Sequence, residues 1–320
     1  MRPLLWRRRM RSFEHASERG ANRLRFRFGS TFFLENPQPL DVPAGLLRGP
    51  AADVLGWPAA SAERSGEFTL FHSQSGMGGH WTGGADADIE EATRSVYEQL
   101  LRLVQGRHLY RIWNFVPRIN ATEHGLENYR RFCRARSLAF EQHFGDCFQQ
   151  RLPAASAVGL QQGALSVAFL AGRNAPDHFE NPLQVPAFEY PSDYGPRAPS
   201  FARATAVQTV TGRRVFISGT AAIRNHRSVA DGDLGAQVAC TIENLEHIGA
   251  ATGVGSALGS PTAARVFRVY LRRQADQAVV AQLLSRDLLR SNDIVQYVEA
   301  DICRSELLIE IEATIDERLS

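Results

Sequence analysis

The feature that most constrains the fold of this chain is that one order of elements is written twice. In the stretch 88–105, Ile89, Ala92, Val96, Leu100, Leu103 and Val104 recur at helical spacing and predict an amphipathic helix. A β-rich run follows at 109–116, then a second amphipathic helix from about 126 to 144, then a strand from about 164 to 170. The second half repeats the order. Leu234, Val238, Ile242, Leu245 and Ile248 form a helical stripe, 266–271 reads as a strand, 277–289 as a helix, and 307–315 as a final strand. A β segment precedes the first helix of each half, at 68–72 and at 215–218. Corresponding elements lie about 140 to 160 residues apart, which suits two units of ordinary domain size. Such a set buries its apolar stripes by laying helices on one face of a sheet. The expected class is therefore α+β, with two such units in tandem.

The predicted division is an N-terminal extension over 1–21, a first unit over 22–175, a connector over 176–204 and a second unit over 205–320. The extension places Arg2, Arg7, Arg8, Arg9 and Arg11 around a short apolar patch. It lacks the longer apolar region and small-residue cleavage site of a signal peptide, and reads as a disordered tail or an over-extended start. No apolar run reaches transmembrane length, so the expectation is a cytoplasmic protein without a membrane partner. The connector contains Pro176, Pro182, Pro186, Pro191, Pro196 and Pro199, which predicts a stiff, extended path without regular structure. Tyr190, Tyr194, Arg197, Phe201 and Arg203 crowd into it. That density reads as an ordered segment lining a site, against the alternative of a solvated linker.

Composition then removes several chemistries. The 36 basic residues are all arginine. Without lysine there is no Schiff-base nucleophile and no Walker-type phosphate lysine. A formal net charge of +2 gives no field suggesting nucleic acid. Four widely spaced cysteines, Cys133, Cys147, Cys240 and Cys303, make neither a CxxC pair nor a disulfide framework. Nine histidines without HxH or HExxH spacing argue against a catalytic metal. No GxSxG elbow is present, and the glycine-rich run 76–84 reads as a flexible loop. Ser218-Gly-Thr-Ala, at a strand end, could offer free backbone N–H groups to an anion.

The C-terminal strand carries the clearest candidate for chemistry. Leu307, Ile309, Ile311 and Ala313 share one face, while Glu306, Leu308, Glu310 and Glu312 share the other. Such glutamates are more often solvated than catalytic, yet in a closed site one of them would have a raised pKa and serve as a general acid. Cys303, just before this strand, is by type most often a small buried hydrophobe.

Several runs together resemble the chorismatases: 111–120, 125–133, 153–159, 180–185, 190–204, 216–223 and 306–313. The likeness covers about 66 to 315. The last copy, with its Ile217-Ser-Gly and Leu308-Ile-Glu-Ile-Glu-Ala, also looks like the Rid (YjgF-type, chorismate-mutase-like) fold. The resemblance implies two such domains in one chain, each a mixed sheet with helices on one face, acting as a monomer or homotrimer.

It further implies a cofactor-free enzyme whose substrate is chorismate, with neither a metal nor a pterin. Glu310 matches the family's acid, which protonates the enolpyruvyl group. Tyr194, Arg197 and Arg203 are of the types that would hold the substrate's carboxylates. Cys303 and Ala222 match two pocket positions that divide the subfamilies. The cysteine suits intramolecular attack giving pyruvate and chiefly 3-hydroxybenzoate, while Ala222 is closer to the type that hydrolyses chorismate to 3,4-dihydroxycyclohexa-1,5-dienoate. A third subfamily makes both 3- and 4-hydroxybenzoate and is associated with aryl-polyene pigments. Outside the family, a Rid-type imine deaminase and a non-catalytic small-ligand binder are the alternatives.

Overall fold

The computed structural model of the chain describes residues 22–28, 39–50 and 52–318, so the expectation for 1–21 lies outside the described residues. Near the start, β1 (Asn22–Phe28), β2 (Leu40–Val42), β3 (Gly45–Arg48) and β4 (Ala52–Ala59) follow one another. Strands β2, β1 and β4 form a small sheet, and β3 departs to join a larger one.

The first large sheet is built from β5 (Ser61–Ser65), β6 (Phe68–His72), β7 (Gly76–Thr82) and β8 (His108–Pro117). A two-residue ribbon follows, β9 (Thr122–Glu123) with β10 (Leu126–Glu127), before β11 (Ala154–Leu160) and β12 (Ser166–Gly172) complete that sheet. Its order is β11-β8-β12-β7-β6-β5, antiparallel except for the β11–β8 pair. Helix α1 (Ile89–Leu103) leads from β7 to β8, and α2 (Asn128–Phe144) makes the crossover that a parallel pair requires. The Asp88 carboxylate caps α1, accepting from the Glu90 and Glu91 amides at 3.0 and 3.1 Å.

The second large sheet repeats this plan with β13 (Asp177–Phe179), β14 (Ala204–Thr209), β15 (Gly212–Thr220), β18 (Ala264–Leu271), β19 (Ile294–Glu299) and β20 (Ile309–Arg318). Between β15 and β18 lie a second short ribbon, β16 (Ile223–Arg224) with β17 (Arg227–Ser228), and helix α3 (Leu234–Ala251). Helix α4 (Gln277–Asp287) crosses from β18 to its parallel partner β19. The order β13-β14-β15-β20-β18-β19 matches β5-β6-β7-β12-β8-β11 strand for strand, with β3 added at the far edge. The α+β class, the mixed sheets and the tandem repeat expected from the sequence are all present.

Strand alternation sets the layers. On β12, Val167, Phe169 and Ala171 join a core with Tyr97, Leu100, Phe132 and Phe140 of the helices, while Ala168 and Leu170 point the other way. On β20, Ile309, Ile311, Ala313 and Ile315 pack with Val238, Leu245, Val280 and Leu284 of α3 and α4. The opposite faces of the two sheets share a third core that includes Phe26, Trp113, Phe115, Val158, Phe216 and Tyr270. The helices are therefore outermost, the sheets face each other, and the glutamate face of β20 looks into the gap between them.

Three expectations are corrected. The glycine-rich run is strand β7 rather than a loop, because Gly79 lies where a Cβ would come within 2.7 Å of the Phe169 ring and 2.8 Å of Leu70. Consequently 68–72 is the counterpart of β14, and 215–218 lies in β15, the counterpart of β7. The proline-rich connector also holds regular structure. It opens with β13 on the edge of the second sheet and makes short 3₁₀ turns at Ala187–Glu189 and Ser192–Tyr194.

Candidate active site

The register of β15 against β20 shifts between Ile217 and Thr220, so Ser218 and Gly219 stand opposite the single residue Glu312. This β-bulge lets the backbone bend beside Glu310. A side chain at 219 would collide with the Glu310 carboxyl, so only glycine leaves the acid its place. Glu310 is 3 % exposed. Burial, reinforced by the neighbouring Glu312 charge and opposed by Arg111 and Arg203, pushes its pKa up to about 8.

Glu312, one pleat away on the same face, is held the other way. It accepts from Arg111 Nη2 at 2.7 Å and from the Trp113 indole N–H at 2.9 Å, and also from Arg268 and the Ser156 hydroxyl. Burial opposes its charge, but Arg268 and Arg111, with the Ser156 and Trp113 hydrogen bonds, keep its pKa below the usual carboxylate value. The face thus presents one carboxyl that holds its proton at neutral pH and one fixed anion, the division of roles that acid chemistry needs.

Glu310 opens on a cavity of about 200 Å³ between the sheets and the connector. Cys303, Tyr194 and Arg203 line the same cavity, so four of the six site residues expected from the sequence come together. Arg203 lies over the Tyr190 and Phe201 rings at 5.7 and 5.1 Å and donates to the Tyr190 hydroxyl at 2.7 Å. Glu180, 3.8 Å from its Nε, is pushed up to about 7 by burial, with Arg203 pulling the other way. The Tyr194 hydroxyl pairs with His226 Nδ1 at 3.2 Å, and its ring lies under Arg304 at 4.2 Å. Burial, and then the proximity of Glu310, push the Cys303 thiol up to about 12, so it stays protonated and is no thiolate nucleophile.

Two expected residues stand elsewhere. Arg197 pairs with Glu141 at 2.9 Å on a half-exposed surface and does not line the cavity. Proline spacing could not reveal that α2 offers it a carboxylate. Ala222 is fully buried behind the wall, and its neighbours Ala221 and Ile223 face the cavity instead. Ser218 itself has no free donor to offer an anion. Its amide donates to the Arg203 carbonyl at 3.0 Å, and its hydroxyl joins Ala202 and Ala155.

The sequence reading also missed residues. Arg304 and Arg136 line the cavity, and Arg136 lies on α2 between Phe132 and Phe140. An arginine four residues from a phenylalanine on either side, on the apolar stripe, was the available signal. Among the described residues no three His, Cys, Asp or Glu side chains gather as metal ligands would.

Residues 57–171 match the family model described as Chorismatase FkbO/Hyg5-like, N-terminal. A 3-hydroxybenzoate synthase of Streptomyces hygroscopicus is 40 % identical over 239 residues, covering 70 % of this chain and 69 % of that protein. The chain belongs to the chorismatase family. A protein named chorismatase from the same organism is 35 % identical over 241 residues, covering 72 % of this chain and 69 % of its own. A chorismatase crystal structure superposes with a TM-score of 0.80 at 28 % identity, over 93 % of this chain and 94 % of that one. This chorismatase is thus an enzyme that shares its relative's whole two-sheet architecture, not one domain of it. None of its described helices is long and apolar enough to cross a membrane.

Proposed function

We propose that this chorismatase converts chorismate to pyruvate and a hydroxybenzoate, chiefly 3-hydroxybenzoate, without a cofactor. The observation that carries the reading is the Glu310 carboxyl, buried, protonated at neutral pH and open to a cavity walled by aromatic and arginine side chains. Glu310 delivers its proton to the methylene carbon of the enolpyruvyl ether, and the electron pair of that double bond forms the new C–H bond. The resulting oxocarbenium ion is stabilised by the charge left on Glu310. The ring's own hydroxyl then attacks the ring carbon that bears the ether, the bond from that carbon to the ether oxygen breaks to release pyruvate as the ketone, and the hydroxyl proton returns to the Glu310 carboxylate. The arene-oxide-like intermediate opens to the phenol, the ring C–H proton lost on aromatisation balancing the one gained by the oxygen. No net water is consumed on this route.

The names of the two relatives support the reading. The 40 %-identical protein is a 3-hydroxybenzoate synthase. Cys303 supports the aromatic branch, since a neutral thiol fills space beside Glu310 that water would otherwise occupy. Hydrolysis to the dihydroxycyclohexadienoate, the second reading, draws on the small Ala222 behind the wall. It would add one water to the balance. Arg203 and Tyr194 are assigned to substrate binding, and Arg197, paired on the surface, loses that role.

The test is incubation of the purified protein with chorismate and a chelator. Pyruvate is followed with lactate dehydrogenase, and the ring product is resolved by chromatography. Stoichiometric pyruvate with an aromatic product is expected. No pyruvate, or activity only on addition of a metal or nucleotide, overturns the reading.

A further inference from the structure

The loop between β19 and β20, residues 300–308, is neither helix nor strand, yet it carries Cys303, Arg304, Ser305 and Glu306 into the cavity wall. A segment without strand partners must find other donors for its buried carbonyls. One side chain supplies most of them. Arg272, the residue that follows β18, donates through Nε to the Leu307 carbonyl at 2.7 Å. Its Nη1 donates to the Asp301 carboxylate at 2.6 Å and to the Asn120 amide oxygen at 3.2 Å. Its Nη2 donates to the Ile302 and Arg304 carbonyls at 3.1 and 2.9 Å. A guanidinium has five N–H donors, and each meets an acceptor here.

The two carbonyls on Nη2 belong to the residues on either side of Cys303. With its backbone tied to one nitrogen before and after, Cys303 is held in the cavity wall beside Glu310. Other contacts secure the ends of the loop. Asn120 donates to the Ile302 carbonyl at 3.1 Å, and Gly159 and Asp301 exchange backbone hydrogen bonds at 2.6 and 3.2 Å. Gln237 of α3 accepts from the Leu308 amide at 2.8 Å and donates to the Glu306 carbonyl at 2.9 Å. Of these, Arg272 alone holds both sides of Cys303. The first copy shows that an arginine in this place need not do so. Arg118, which follows β8, pairs with Glu123 at 2.5 Å and is mostly exposed.

We propose that Arg272 is a specificity-determining positioning residue: by fixing Cys303 in the wall it keeps water from the oxocarbenium ion and directs the reaction to the hydroxybenzoate. The inference rests on the functional reading above for the product, and on the loop geometry alone for the placing of Cys303. Lysine cannot replace the arginine in this role. Its three donors leave a single nitrogen, while the acceptors are spread around a planar fork.

The experiment compares the full-length wild type with Arg272→Lys and Asn120→Ala. Ring products are separated by chromatography, pyruvate is counted, and melting temperatures are recorded. In ligand-free protein, alkylation of Cys303 by iodoacetamide is followed by peptide mass spectrometry, with the exposed Cys147 as internal reference. Arg272→Lys should raise the ratio of diol to hydroxybenzoate about 3- to 10-fold, the range of one hydrogen bond. Cys303 alkylation relative to Cys147 should rise by a similar factor. Asn120→Ala removes one donor from Ile302 and one acceptor from Arg272, and should move both readouts the same way by less. A merely structural arginine would lower the melting temperature and leave the product ratio alone.

An unchanged product ratio in folded Arg272→Lys overturns the inference, whatever its melting temperature. If that variant does not fold, an unchanged ratio in Asn120→Ala overturns it. A wild type that yields the diol alone also overturns it, and leaves proton delivery by Glu310 standing. A wild type that releases no pyruvate sinks the functional reading instead. The placing of Cys303 is then decided by alkylation, where equal rates in wild type and Arg272→Lys overturn it as well.

Discussion

Glu310 and Glu312 sit two residues apart on one strand face, yet they are opposite in protonation because their neighbours differ. Arg111, Arg268, Trp113 and Ser156 converge on Glu312. Glu310 has burial and a nearby anion instead. Glu310→Gln should therefore lower kcat by about 10²- to 10⁴-fold with little change in KM, because the amide has no proton to give. In the wild type, kcat/KM should fall as pH rises through about 8, as the acid is lost.

The same residue makes a stability statement. Its folded pKa lies above the unfolded value of 4.5, so the folded state keeps a proton that the unfolded state releases. Wild-type stability should then decline with pH across 4.5 to 8, by roughly 1.4 kcal/mol per pH unit from this group alone. Glu310→Gln should melt higher than wild type at pH 8 and lose that advantage below pH 4.5; equal melting at both pH values would contradict the buried acid. Cys303→Ala should open space for water and move ring product from hydroxybenzoate toward the diol, read by chromatography. An unchanged product ratio would remove Cys303 from that choice. Glu310 was legible in the sequence through the strict alternation of the last strand. Arg136 was legible only as an arginine between two phenylalanines on the apolar stripe of α2; that this stripe borders the cavity is a property of the fold and cannot be read along a helix.

At the scale of elements, the acid's position depends on the β15 bulge. Gly219→Ala introduces a methyl into the space of the Glu310 carboxyl, so the side chain must swing away. The expected result is a loss of kcat approaching that of Glu310→Gln, without the gain in stability at pH 8, since the carboxyl is still present. Full activity in Gly219→Ala would show that the acid tolerates displacement. Helices were read well from the sequence because their stripes face a single core. Strands were read less well. Residues of β11 are buried along nearly its whole length, so no alternation marks it, and β7 shows its reason for being a strand only through Phe169 and Leu70 across the fold.

For the whole molecule, Glu312 is a buried charged joint between the sheets. It belongs to β20 of the second sheet, while Arg111, Trp113 and Ser156 belong to β8 and β11 of the first. Glu312→Gln would leave Arg111 and Arg268 buried beside a neutral group, and should cost about 3 to 5 kcal/mol in chemical denaturation. A loss under about 1 kcal/mol would mean that the two arginines find other partners. The tandem plan behind this joint has a further consequence. Strand β12, the counterpart of β20, reads Ser-Val-Ala-Phe-Leu-Ala-Gly and has no ionisable side chain. Because the two copies are covalently joined, a change inherited by one is not imposed on the other. The second copy carries the proton donor, and the first contributes Tyr129, Arg130 and Ser156 to the cavity wall. The result is a handed vessel, with unlike left and right walls, suited to a molecule whose two ends are themselves unlike.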